Sequence, residues 1–121
     1  NINEWLMVQV SFVGPMLGQL HYFYKFNKGK SEYAENRFSE LAKKIYEYLD
    51  MQLSKNKYLA CNEYTIADIA TFPWLCRHEW HEIGIKKYKN LSRWYEEISK
   101  RPAVVKGYDP ENLGEKIPLA Y

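Results

Sequence analysis

The sequence is poor in the features that would declare a chemistry outright. Cys61 and Cys76 are its only cysteines. Their spacing is neither CxxC nor metal-like, so they read as two reduced thiols in a cytoplasmic protein. No apolar stretch approaches the roughly 20 residues of a membrane span, and no signal-peptide pattern is present. Neither sign of charge dominates, with 17 basic residues dispersed among 15 acidic ones for a net +2. The sparse groups Lys25, Lys28, Lys30 and Lys86, Lys87, Lys89 read as solvated faces, which argues against a nucleic-acid partner. His78, Glu79, His81 and Glu82, near Cys76, depart from HExxH because the second His comes too early, which argues against a metal. Alternating apolar and polar residues, repeats and low-complexity segments are also missing, so nothing suggests a sheet. The chain lacks an initiating Met: Asn1 leads straight into helix-like Ile2 to Val8, and the sequence reads as a piece of a longer polypeptide.

What remains is an ordinary globular balance for 121 residues, with 46% hydrophobic and 26% charged residues. That is one domain, able to bury roughly two thirds of its unfolded surface around one core. Aromatic residues are abundant at 17%, including 11 Tyr and 4 Trp, enough for a packed core and an aromatic-lined cleft.

The most informative segment is Tyr64-Thr65-Ile66-Ala67-Asp68-Ile69-Ala70. A hydroxyl three residues ahead of an acid, just before an apolar run, is the layout of a reciprocally capped helix start. Thr65 Oγ can accept the amide of Asp68, and the Asp68 carboxylate can reach back to the amide of Thr65. Tyr64 and Ile69 fall at the positions of a hydrophobic staple. Ile66, Ala67, Ile69, Ala70, Phe72, Trp74 and Leu75 point in every direction, which predicts a helix over 66–80 buried on all sides and kinked at Pro73.

Elsewhere helical signals dominate. Residues 3–13 and 16–26 read as one bent helix or a coupled pair around Gly14-Pro15. A turn at 27–30 leads to Ser31 as an N-cap, and Ala34, Phe38, Leu41, Ile45, Leu49 and Leu53 give a single apolar stripe over 32–53. Leu91, Trp94, Tyr95 and Ile98 mark another amphipathic helix, and Arg101-Pro102 opens a short last one over 103–106. The tail 107–121, with Pro110, Gly114 and Pro118, reads as extended. The expected fold is all-α, about five to six helices around a buried central helix.

The capped segment, Phe72-Pro73-Trp74 and Arg101-Pro102-Ala103-Val104 resemble the C-terminal helical domain of cytosolic glutathione S-transferases, here over 1–106. Trp5, Gln9, Gly14-Pro15-Met16-Leu17-Gly18-Gln19, Tyr33-Ala34 and Arg37-Phe38 resemble the bacterial Nu-class and Ure2-like branch. The chain departs from the family at Ala60-Cys61, where a Gly pair is common, and at Leu20-His21-Tyr22, where the branch carries Asn and His. The resemblance implies a homodimeric enzyme that conjugates glutathione to a small electrophile or reduces disulfides with it. It also implies that the catalytic residue lies in a thioredoxin-like N-terminal domain absent from this chain. Within the chain it implies Arg37 and Gln19 as glutathione contacts, and Met16, Tyr22 and Trp74 as a hydrophobic co-substrate wall. A planar guanidinium at Arg37 can clamp a carboxylate through two parallel bonds, or else pair on the surface with Glu40 or Glu32. Thr65 and Asp68 carry a structural N-cap. A non-catalytic interaction module on the same fold is the alternative, since fold does not fix function.

Overall fold

The computed structural model describes residues 1–109, 111–112 and 114–121; Pro110, assigned to the tail, lies outside them. Among the described residues there are six α-helices and no strand. Helix α1 runs over 2–26 without a break, through Ile2–Val8, the π-helical Gln9–Val13, Gly14–Leu20 and the π-helical His21–Phe26. Pro15 explains the first wide turn. Its ring would collide with the carbonyl four residues back, and it has no amide to donate. The chain opens the preceding turn instead, so that the Gly14 amide reaches the carbonyl of Gln9.

Gly29, at φ 84°, turns the chain toward α2 (Glu32–Lys55), whose first turn is capped by Ser31 Oγ accepting the amide of Ala34 at 3.1 Å. Four members of the predicted stripe, Ala34, Ile45, Leu49 and Leu53, are buried together with Ala42 and Tyr46, while Phe38 and Leu41 lie half-buried at its edge. Helix α3 (Ile66–Leu75) follows, then a single-turn α4 (His78–His81), α5 (Lys89–Ser99) and α6 (Pro102–Tyr108). Gly84 takes φ 90° before a 3-10 turn at Ile85–Lys87. Helix α5 has no side-chain cap of its own. Asp50 supplies one from α2, accepting the amides of Asn90 at 2.8 Å and Leu91 at 2.9 Å.

Two expectations about α3 are corrected. The helix stops at Leu75 and not near Trp80: the Cys76 amide still reaches the carbonyl of Phe72 at 3.0 Å, but the Arg77 amide turns to that of Trp74 and its backbone leaves the helical region (φ −96°, ψ 22°) before α4, which closes with Glu82 at φ 57°. It is also not buried all round. Ala67, Asp68, Thr71, Phe72 and Leu75 face the core, but Ile66 and Ile69 are 56% and 52% exposed. With apolar residues on both faces, the sequence carries no polar stripe to mark the outer side.

The core lies between α1, α2, α3 and α5, and its largest fully buried side chains are Trp94, Tyr46 and Tyr95. The tail folds back beside α5. Tyr95 Oη donates to the carbonyl of Pro118 at 2.5 Å, and the Lys86 amide donates to the carbonyl of Tyr121 at 3.1 Å.

Candidate functional site

The side chains singled out from the sequence fall into three places. The first is the start of α3. Both halves of the capping box are closed. Thr65 Oγ1 also accepts the amide of Ala67 at 3.2 Å, and Asp68 Oδ2 accepts the amide of Thr65 at 3.0 Å. Asp68 is fully buried, and its other oxygen is used as well. Oδ1 accepts the amide of Leu59 at 3.0 Å and the indole N–H of Trp94 at 2.8 Å. The carboxylate therefore binds the loop before α3, the first turn of α3 and the middle of α5 at one point. Its oxygens are spent on these donors, which makes it a tie and not a reactive acid.

The second place is the outer face of α2. Arg37 is exposed and lies in a shallow groove of about 400 Å³ with Tyr33, Asn36, Glu40, Leu41 and Lys44. Glu40 pairs with Lys43 at 3.2 Å, and among the described residues Arg37 is in no ion pair. A free guanidinium beside Tyr33 and Asn36 suits a carboxylate ligand. None of Gln19, Met16, Tyr22 or Trp74 lines that groove.

The third place is α1. Gln19 and Tyr22 are exposed, whereas Met16 and Trp74 are half-buried against the core. Trp74 crosses α1 where its side chains are missing. A Cβ on Gly14 would stand 3.1 Å from the indole, and one on Gly18 would stand 3.6 Å from it. The Gly-x-x-x-Gly spacing thus admits the ring against the helix backbone.

Beyond Trp74 lies a buried polar chain that local sequence patterns do not reveal. His21 Nε2 stands 2.7 Å from His81 Nε2, and His81 Nδ1 stands 2.6 Å from Tyr46 Oη. Burial raises the Tyr46 hydroxyl well above its usual range, so it keeps its proton, and in one of the two arrangements that the distances admit it donates to Nδ1. His81 then donates from Nε2 to Nε2 of His21, a tautomer assigned from the network. Burial lowers both imidazoles, His21 to about 4 with Arg77 adding to the effect, and His81 with His21 and His78 adding to it. His21 also stacks on Trp74 at 5.9 Å and meets the edge of Trp80 at 5.2 Å. The available signal was the row Val13, Leu17, Leu20, His21, which carries a core-facing helical face onto an imidazole.

His78 is buried between Tyr95 and Tyr121. Among the described residues no three His, Cys, Asp or Glu side chains are grouped to hold a metal ion, and no helix is long and apolar enough to cross a membrane. Cys61 is half-buried and Cys76 buried, both unpaired.

Comparison with known proteins gives this geometry a context. The family model described as glutathione S-transferase, C-terminal domain, matches residues 12–102. The disulfide-bond oxidoreductase YghU of Escherichia coli strain K12 is 38% identical over 112 residues, which cover 85% of this chain and 37% of YghU. The disulfide-bond oxidoreductase YfcG of the same strain is 33% identical over 113 residues, covering 93% of this chain and 53% of YfcG. The chain thus spans about half or less of the length of these curated relatives. Among solved structures, a glutathione transferase from Burkholderia graminis, with two glutathione molecules bound per subunit, superposes with a TM-score of 0.82 at 33% identity. That match covers 92% of this chain and 49% of the other. One from Pseudomonas putida, with one glutathione disulfide bound per subunit, superposes with a TM-score of 0.77 at 32% identity, covering 88% and 49%.

Proposed function

Because the chain belongs to the glutathione S-transferase C-terminal domain family, we propose that it is the helical substrate-site and dimerisation domain of a glutathione-dependent enzyme. The observation that supports this most is its likeness, along nearly its whole length, to a transferase that holds glutathione. Glutathione is the co-substrate, and the partner is a small electrophile or a disulfide. The glutathione thiolate forms a C–S bond and expels a leaving group, or attacks a disulfide sulfur and releases the other sulfur as thiolate.

In this reading Arg37 clamps a glutathione carboxylate and Gln19 adds a polar contact. Met16, Tyr22 and Trp74 form the apolar wall for the second substrate. The thiol-activating group lies outside the chain, in a thioredoxin-like N-terminal domain, so residues 1–121 alone are inactive. Exposed Met7, Val10, Tyr48 and Met51 on α1 and α2 supply apolar surface for a homodimer. The unpaired cysteines suit the reducing cytoplasm.

Arg37→Ala in the full-length protein tests the clamp. KM for glutathione should rise about tenfold, as expected for a lost charge-assisted bond, while KM for the second substrate stays put. An unchanged KM for glutathione removes Arg37 from the site.

A further inference from the structure

The π-helical end of α1, His21–Phe26, presents two large exposed side chains. Tyr22 is 55% and Phe26 65% exposed. Among the described residues the Tyr22 ring meets only Phe23 of its own helix, edge-on at 5.0 Å, whereas Phe26 meets the edge of Trp80 at 5.6 Å. Phe23 stacks on Phe38 of α2 at 5.9 Å, and the polar contact that holds the segment is buried one residue before Tyr22. His21 is 8% exposed, His81 1% and Tyr46 0%, and their two short bonds run from α1 through α4 to α2. The two imidazoles are within 8° of parallel with centroids 4.9 Å apart. Set against the short distance between the facing nitrogens, that means the rings meet edge to edge, the geometry of a direct N–H···N bond.

We propose that His21 is a positioning residue for the hydrophobic second substrate: the Tyr46–His81–His21 chain fixes the start of the π-helical end of α1 and so the direction in which Tyr22, the next residue and a member of the second-substrate wall, presents its ring. This rests on the glutathione reading above. A wide turn is the least stable helical form and persists only where its surroundings over-determine it. Here the fixing interaction is directional. Tyr46 Oη faces a single ring nitrogen, so the role it takes there fixes the tautomer of His81, and that tautomer fixes the role of the facing His21 nitrogen. Rotation of His21 about its side-chain bonds breaks the chain. Apolar contacts with Trp74 and Trp80 alone would tolerate such rotation, because they have no preferred atom pairing.

The chain is also responsive to acid. With the Tyr46 hydroxyl as donor, a proton added to His21 Nε2 makes both facing nitrogens donors, and His81 can restore the bond only by moving its own proton to Nδ1 and turning the hydroxyl away. The groups facing the chain offer no compensating anion. Arg77 faces His21, His78 faces His81, and Tyr88 and Tyr121 face Tyr46. The positioning is therefore complete at neutral pH and fails toward about pH 4, where His21 takes up its proton.

The test uses the full-length protein with glutathione and two probes, chlorodinitrobenzene as a bulky aromatic electrophile and hydroxyethyl disulfide as a small flexible one. Tyr46→Phe keeps a ring in the core and deletes only the hydroxyl, so it folds where a change at His21 could fail. It should raise KM for the aromatic probe about fivefold, the worth of one lost hydrogen bond, with KM for glutathione and kcat within about twofold. His21→Leu should do the same more strongly, and His21→Gln, whose amide reaches the place of Nε2, should restore the neutral-pH value. Wild type should show an acid rise in KM for the aromatic probe that His21→Gln flattens. Equal effects on both substrates, or none, in Tyr46→Phe would overturn the positioning role. A wild-type protein with no glutathione-dependent turnover of either probe would overturn the glutathione reading and this proposal with it.

Discussion

The indole of Trp74 lies directly over Gly14, close enough that a methyl group there would stand 3.1 Å from its ring. Two effects oppose each other on substitution. Alanine is favoured over glycine in a helix by about 1 kcal/mol, while forcing an extra methyl into packed surroundings costs about 1–3 kcal/mol. The side-chain oxygen of Gln9, 2.6 Å from the added carbon, is a flexible end and can swing away, but the ring cannot. Gly14→Ala should therefore lose about 1 kcal/mol of stability. Gly18→Ala, where the nearest ring atom is 3.6 Å away, should gain up to about 1 kcal/mol from propensity alone. Urea midpoints of the two variants check the opposite signs, and equal shifts would remove Trp74 as the cause.

Asp68 carries a larger share. Asp68→Ala leaves the amides of Leu59 and Thr65 and the indole N–H of Trp94 without their acceptor. At about 1–3 kcal/mol for each buried orphan, the loss should reach about 4 kcal/mol. Trp94→Phe should cost less, and its cost should shrink by about 1 kcal/mol in the Asp68→Ala background, because the two side chains share one bond. A double-mutant cycle showing plain additivity would mean that the indole bond contributes nothing.

Stability should also fall with acid through the buried imidazoles. The unfolded-state pKa of His21 is near 6.5 and its folded value is about 4, so between these limits the unfolded chain binds more protons. Stability is then complete above about pH 6.5 and is lost as pH falls toward 4. His81 and His78 are shifted in the same direction by burial. The expected loss from His21 is on the order of 3 kcal/mol. His21→Gln should flatten part of the slope of unfolding free energy against pH over this window; an unchanged slope would assign the acid loss to other groups.

The parts of the fold that could be read in advance are those whose cause is local. The stripe over α2 and Ser31 at its start depend on neighbours within four residues, and all of them sit on the sequence. The end of α3 was misplaced because Cys76-Arg77-His78-Glu79-Trp80 carries no Gly or Pro to mark a stop, while the break lies in the backbone of Arg77, at φ −96° and ψ 22°. The exposure of Ile66 and Ile69 was hidden for a related reason: two apolar faces look alike until the packing partner is known. The roles proposed for Arg37 and Gln19 come from resemblance and not from a local pattern. Of the His21–His81–Tyr46 chain only the inward side of His21 had a local signal, since its members lie 60 and 35 residues apart and only tertiary structure brings them into contact. The Trp94 bond to Asp68 was hidden in the same way.

That last bond has a bearing on how the chain reaches its fold. The capping box looks like a local event that α3 could complete alone, yet its carboxylate is not fully used until Trp94, 26 residues further on, has been delivered by α5. A helix that starts independently of its surroundings nucleates early and frays freely. This one leaves part of its buried acceptor unused until the distant indole arrives, so docking of α5 strengthens the start of α3 and the two support each other against opening.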